Sequence, residues 1–348
     1  ALAGLACGTA ATATPSAKGT PTGPTATATA RSTPAPRVGE TTLRVGMPFV
    51  FTNQPADPVK GGGFQLIQMG LGETLFKLGK DLRPEPWLAA SSQRLDEKTW
   101  EITLRPGVKF HNGAPMESAA VRASLERAIA KSSVAKSVLD ISHIEATGPL
   151  TLKIVTNNPS PILPGLLTEP ASTIVDATAA DAMGDAFAEK PVLTGPFKVE
   201  RLQIDRELVA VRHKEYWGPS PQAERVIFLY LPDNNTRVLA LQSGDVDIAQ
   251  YIAPESVPPV RNAPGLVVTP AQPVALEFMY LNFQRGPWKD PMVRQAVALA
   301  INREALVKGV MHGLGTAAVG PFPPAFLACS QLPGYPFDPV KARQLLAQ

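Results

Sequence analysis

The hydrophobic pattern changes character near residue 40. Before it, ALAGLACG gives way to TAATATPSAKGTPTGPTATATARSTPAPR, a Thr/Ala/Pro tract with almost no large apolar side chain. Such a tract cannot bury enough surface to offset the entropy of ordering, so it predicts a disordered tether and a folded region starting near Glu40. Beyond it, period-two alternation and β-forming residues predict strands at TTLRVGM (41–47), TWEITL (99–104), LTLKIVT (150–156), ELVAVRH (207–213), RVIFLYL (225–231) and LEFMYLNF (276–283). Between these runs, apolar residues at helical spacing predict helices at SAAVRASLERAIAK (118–131), TRVLALQSG (236–244) and DPMVRQAVALAINREALVKGVM (290–311). The last is the clearest. Asp290 suits the N-cap, Pro291 the first helical position, and Val293, Ala296, Val297, Ala300 and Ile301 form one apolar stripe. The mixture predicts an α/β protein, and 348 residues are too many for one ordinary core, so more than one domain is expected.

Turn chemistry sharpens two places. Arg105-Pro106-Gly107 and His111-Asn112-Gly113 are turn sequences on either side of the short strand Val108-Lys109-Phe110. The pair reads as a hairpin that packs Trp100 and Phe110 inward and leaves Lys109 in water. Asp233, ahead of Asn234, Asn235 and Thr236, predicts the cap of the helix that carries Leu239 and Leu241. Proline, at 36 residues, favours a body rich in strands and fixed turns over a helical bundle.

Composition removes whole classes of function. A net charge of +3 without a dense Lys/Arg block gives no electrostatic footprint for nucleic acid. The two cysteines, Cys7 and Cys329, stand in no CxxC or Cys/His spacing, so neither a metal site nor a bridge between them is expected. The four histidines (His111, His143, His213 and His312) are isolated from one another in the sequence. No HExxH, Walker A or GxSxG motif occurs; GETLFKLGK (72–80) has the wrong spacing for a phosphate loop. An enzyme would need a nucleophile–base constellation or a metal cluster, and none is visible, so no catalytic residue and no cofactor are expected. No uninterrupted apolar span of membrane length is present.

The first residues read as the remnant of a secretory signal. Gly4, Leu5 and Ala6 immediately before Cys7 resemble a bacterial lipobox, which makes Cys7 the expected lipidation site. The Thr/Ala/Pro tract then has the composition of a spacer between a lipid anchor and a folded module.

Taken in order, several segments carry a resemblance. LGETLFKL (71–78), RPEPWLAASS (83–92), TWEITLRPGVKFHNGAPM (99–116), LTGPFKV (193–199), EYWG (215–218) and PDNNTRVLALQSGDVDIA (232–249) resemble successive motifs of the bacterial extracellular solute-binding proteins, family 5. YLNFQRGPWKDPMVRQAVALAINREALVKGVMHG (280–313) and YPFDPVKARQLLAQ (335–348) resemble the start of that family's third domain. ESAAVRASL (117–125) keeps the family's spacing but lacks its acidic pair. The resemblance runs from about residue 41 to the end.

It implies an α/β, periplasmic-binding-protein-like, two-lobed fold of the class II, cluster C type, with mixed sheets and incomplete at the C-terminus. The implied domains are 1–40 as signal remnant, lipobox and tether, 41–74 and 191–272 as domain I, 75–190 as domain II, and 273–348 as the start of domain III. The implied role is the substrate-binding component of an ABC importer. It would be a monomeric, extracytoplasmic lipoprotein that captures a di- or oligopeptide between two lobes and delivers it to a membrane permease. A nickel or metallophore complex is the alternative ligand, and a ligand-sensing receptor domain the alternative role. The nickel branch of the family often carries an arginine after a proline, and the comparable point here is Glu169-Pro170-Ala171, which speaks against that branch. Phe49, Asn53, Phe64 and Gln65 are expected to face the cleft from one lobe, and Tyr280, Asn282 and Trp288 from the other. No metal ligand is assigned. Arg105, Asp247 and His111 are expected to be structural, with His111 a turn residue.

Overall fold

The computed structural model describes residues 41–51, 55–269, 276–320 and 334–348. Strand β1 (Thr42–Met47) opens the fold, followed by helix α1 (Gly63–Gln68). Next come β2 (Phe76–Leu78), β3 (Pro84–Pro86), β4 (Ala89–Arg94) and β5 (Thr99–Leu104). Helices α2 (Ser118–Lys131) and α3 (Ser133–Leu139) lead into β6 (Ile141–Gly148) and β7 (Thr151–Thr156), then α4 (Leu163–Leu166) and α5 (Ala177–Met183). The chain continues through β8 (Phe197–Gln203), β9 (Glu207–Arg212), β10 (Arg225–Tyr230), α6 (Asn234–Ser243), β11 (Ile248–Ala249) and α7 (Val257–Asn262). Helices α8 (Pro291–Ala300), α9 (Arg303–Gly309) and α10 (Pro339–Leu346) follow.

One sheet is mixed, in the order β11-β1-β10-β9-β8. Its strand β1 runs parallel to both β10 and β11, with Val45 opposite Phe228 and Ile248, while β10, β9 and β8 pair antiparallel. The continuous apolar run in β10 follows from its central place: Val226, Ile227 and Phe228 are all buried. Val226 and Phe228 share a core with Val45, Met47, Leu66, Leu71, Phe187 and Leu208.

The second sheet, β4-β5-β7-β6, is antiparallel and buries one face. Alternation does the work here: Trp100, Ile102 and Leu104 of β5 and Leu152 and Ile154 of β7 point inward. Helix α2 sets Val121, Leu125 and Ala128 against them at positions i, i+4 and i+7. The α/β class with mixed sheets therefore holds. Trp100 and Phe110 both enter this core, and Lys109 stays half-exposed and pairs with Glu215. The hairpin expected there is a tight one, closed by Phe110 N–H to Ala114 O at 2.9 Å and Met116 N–H to Val108 O at 2.9 Å.

Two expectations need correction. Residues 276–282 carry no ladder and form no strand, because no neighbouring strand pairs with LEFMYLNF among the described residues. The long helix over 290–311 is two helices. Ile301 turns extended, and Asn302 accepts from the Ala305 N–H at 2.9 Å, so it starts α9 as a fresh N-cap. In α6, Asp233 caps Thr236 N–H at 2.7 Å as expected, but the buried side chain of that helix is Arg237, while Leu239 is exposed.

Candidate binding site

Because β1, β10 and β11 are parallel, their carboxyl ends open at one edge of the mixed sheet. In α/β sheets that edge is where ligands bind. After β1 comes Phe49, half-buried, then Phe51, buried at φ +46°. After β11 comes Tyr251, half-exposed at φ +54°. The Phe49 and Tyr251 rings lie 4.9 Å apart at 55°. Gln68, the last residue of α1, donates its Nε2–H to the Tyr251 hydroxyl at 2.7 Å. Phe64 lies one turn earlier on the same helix face and is 54% exposed.

A buried guanidinium holds this edge together. Arg237 of α6 is 3% exposed and donates to four carbonyls. Nη1 reaches Leu231 O at 2.7 Å and Pro232 O at 2.8 Å, Nε reaches Gln250 O at 3.1 Å, and Nη2 reaches Tyr251 O at 2.8 Å. Burial pulls its pKa down and the nearby Asp233 pulls it back up. One side chain thus ties the segment leaving β10 to the segment leaving β11. Asn234 adds a second tie, accepting from Ala253 N–H at 2.8 Å and donating to Ser256 Oγ at 2.8 Å.

Of the residues expected at the cleft, Phe49 and Phe64 lie at this edge, and Gln65 sits on α1 beside them. Asn53 lies outside the described residues, as do Cys7 and Cys329. Tyr280 is 86% exposed and meets Phe278 edge-on, at 4.8 Å between ring centroids. Asn282 accepts from Gln284 N–H at 3.0 Å, and the Trp288 carbonyl accepts from Arg294 Nη1 at 2.7 Å. These described contacts of the second group all stay within residues 278–294, so they do not join the first group. Gln68, Tyr251 and Arg237 were missed. An arginine among leucines reads as solvent-facing, and neither the parallel pairing nor the φ at Tyr251 has a sequence signal.

The histidines occupy a different place. His111 accepts from Leu193 N–H on Nδ1 at 3.4 Å and donates from Nε2 to Gly195 O at 3.1 Å, which fixes its tautomer. His213 stands edge-on to it, 5.1 Å away, and shares Gly195 O through Nδ1 at 3.3 Å. Burial pushes His111 down to about 3 and also lowers His213, which disfavours the charged form of both rings. A shallow cavity of about 510 Å³ beside them is lined by Lys198, Arg212, Lys214, Glu215 and Glu224. Among the described residues, no group of three or more His, Cys, Asp or Glu is placed to hold a metal ion, and no helix is long and apolar enough to cross a membrane.

The motif residues meet at a third place. Glu73, fully buried, accepts from Tyr216 Oη at 2.8 Å and from Trp217 Nε1 at 3.0 Å. Burial pushes its carboxyl pKa up, against these hydrogen bonds. The Arg105 guanidinium lies 4.7 Å over the Trp217 ring and donates to Trp87 O, and Asp247 is bidentate with Arg44 in the mixed sheet. The contacts given for Arg105, Asp247 and His111 all lie within the fold, the kind of contact the expected structural role requires.

Several known proteins are similar to this chain. The glutathione-binding protein GsiB of Salmonella paratyphi A is 31% identical over 289 residues, 82% of this chain and 56% of the relative. The chain therefore spans little more than half the length of the curated relatives it matches. A nickel ABC transporter structure from Bacillus halodurans is 33% identical with a TM-score of 0.69, over 82% of this chain and 59% of that one. The periplasmic binding protein DppA from Helicobacter pylori, in complex with peptide STSA, is 26% identical with a TM-score of 0.78, over 89% and 66% of the two chains. The model of the bacterial extracellular solute-binding proteins, family 5 Middle, matches residues 83–348. It describes binding proteins and not catalysts, and with three quarters of its residues matched the chain belongs to the bacterial extracellular solute-binding proteins, family 5.

Proposed function

We propose that the chain is the substrate-binding component of an ABC-type importer and that it captures a di- or oligopeptide. The observation that carries this reading is the uncharged wall of rings and amide, Phe49, Phe64, Gln68 and Tyr251, at the carboxyl ends of three parallel strands. A peptide offers complementary chemistry: apolar side chains for the rings and backbone amides for the polar atoms. The likeness to a glutathione-binding protein supports it, since glutathione is itself a tripeptide.

In this reading, residues 41–74 and 191–272 (domain I) and 75–190 (domain II) form one lobe, and 273–348 begin the other. Asn53, Gln65, Tyr280, Asn282 and Trp288 join the contacts when the lobes close. Solute stabilises the closed state because only there does it touch both walls, and no bond is made or broken. The closed form docks on the permease. Lipidation at Cys7 and the Thr/Ala/Pro tether would hold a monomeric binding protein at the outer membrane face of the permease and raise its effective concentration there.

A nickel chelate is the second reading, favoured by the 33% identity to the nickel transporter structure. The wall answers a chelate's organic shell and not a bare ion. Native mass spectrometry of the purified protein, with metal analysis of whatever stays bound, tests the choice. A ladder of peptide masses is expected; stoichiometric nickel sinks the peptide reading.

A further inference from the structure

Several features that cost stability fall together at the first-lobe wall. Phe51 and Tyr251 are both held at positive φ, and both follow a strand that ends there. A bulky side chain in that region of φ is strained. Gln68 Oε1 and Gln250 Oε1 are buried with no hydrogen-bond partner, one on the residue that binds the Tyr251 hydroxyl and the other on the residue before Tyr251. Buried acceptors left unmet also cost stability. Arg237 maintains the arrangement by holding the carbonyls of residues 250 and 251. Its charge is spent on the main chain, and the side chain is 3% exposed.

We infer that Tyr251, with Phe49 against its ring and Gln68 on its hydroxyl, forms a preorganised uncharged subsite that takes one apolar or aromatic side chain of the bound peptide. Tyr251 is the specificity-determining residue of that subsite and Arg237 the positioning residue beneath it. This rests on the peptide reading above. Tyrosine is suited to such a role because its ring has few rotamers to lose and its hydroxyl is already committed to Gln68. With Tyr251 50% exposed and Phe64 54% exposed, there is ring surface left for a ligand to cover. The charged ends of the peptide are then left to other parts of the cleft.

Calorimetric titration with trialanine, and with the three tripeptides in which phenylalanine replaces one alanine, tests the inference. The unaltered protein should bind at least one phenylalanine peptide about tenfold more tightly than trialanine, the upper range for one aromatic pair. Tyr251→Ala should cut that preference to about twofold, while Tyr251→Phe, which keeps the ring, should retain most of it. Phe49→Ala serves as the second variant if Tyr251→Ala does not fold. A preference that survives in both, or is absent from the unaltered protein, overturns the subsite. If no tripeptide binds but Ni(L-His)2 does, the peptide reading falls. The subsite then stands only if Tyr251→Ala weakens the chelate at least about threefold, the lower range for a ring–ring contact. Binding of neither probe by the unaltered protein overturns both.

Discussion

Among the buried charged side chains of the described residues, Glu73 at 0% exposure and Arg237 at 3% are satisfied in opposite ways. Glu73 is held by side chains brought from 143 and 144 residues away, Tyr216 and Trp217. It lies between Leu71, which belongs to the core of the mixed sheet, and Leu75, which belongs to the core of the antiparallel sheet. Arg237 is held by four main-chain carbonyls and lies under the edge where the parallel strands end. One knot joins two cores; the other shapes a surface. The motifs that carry the family resemblance (71–78, 83–92, 99–116 and 215–218) each bring a residue to the first knot.

The sharpest way to break that contrast is Arg237→Ala. It leaves up to four carbonyls at a buried site without their donor, and a loss of about 3 kcal/mol in urea unfolding is expected. Affinity for the preferred solute should fall at least about tenfold with it, since residues 250 and 251 lose their hold and each tenfold corresponds to 1.4 kcal/mol. A stable, fully binding variant would reduce Arg237 to an ordinary surface residue. Arg237→Lys should recover part of the stability and less of the affinity, because one ammonium cannot span four carbonyls in fork geometry.

Glu73→Gln should cost less, about 2 kcal/mol, since the amide cannot accept from both Tyr216 and Trp217 as the carboxylate does. Solute affinity should stay within about twofold, less than 0.5 kcal/mol. The acid limb adds a second signature. Burial raises the carboxyl above its ordinary 4.5, so its contribution is fully present below that pH and is lost as pH rises through the folded value. Glu73→Gln removes that dependence. Loss of affinity in a folded Glu73→Gln protein would merge the two knots into one functional unit.

Much of the frame was legible in the sequence. TWEITL forms β5 from Thr99 to Leu104, and SAAVRASLERAIAK forms α2 from Ser118 to Lys131, because alternation and helical spacing are local properties. LEFMYLNF has the same alternation and forms no strand, because a strand also needs a partner at its edge, and that is not local. At the proposed wall, Phe49 and Phe64 were named from family position. Tyr251 and Gln68 were not, because the bond between them spans 183 residues. Arg237 was hidden by its own type: arginine is seldom buried, and only the carbonyls around it make its burial tolerable.

The smallest effect at neutral pH belongs to His111, which lies at neither knot but beside the first. Glutamine can replace one of the ring's two hydrogen bonds, so His111→Gln should cost about 1 kcal/mol at pH 7. Its signature appears on acidification. Burial holds the folded ring at about 3 against an ordinary 6.5, so between those values the unfolded chain takes up the proton first. Stability therefore falls as pH drops through that window, by at most about 1.4 kcal/mol per pH unit for one proton. Glutamine does not titrate, so the two stability curves should cross, with the variant less stable at pH 7 and more stable near the bottom of the window. His213 is also depressed by burial and leaves a residual slope in the variant. Parallel curves would mean that His111 is not held neutral. A loss of solute affinity at pH 7 in the folded variant would move the histidine pair from the seam to the binding machinery.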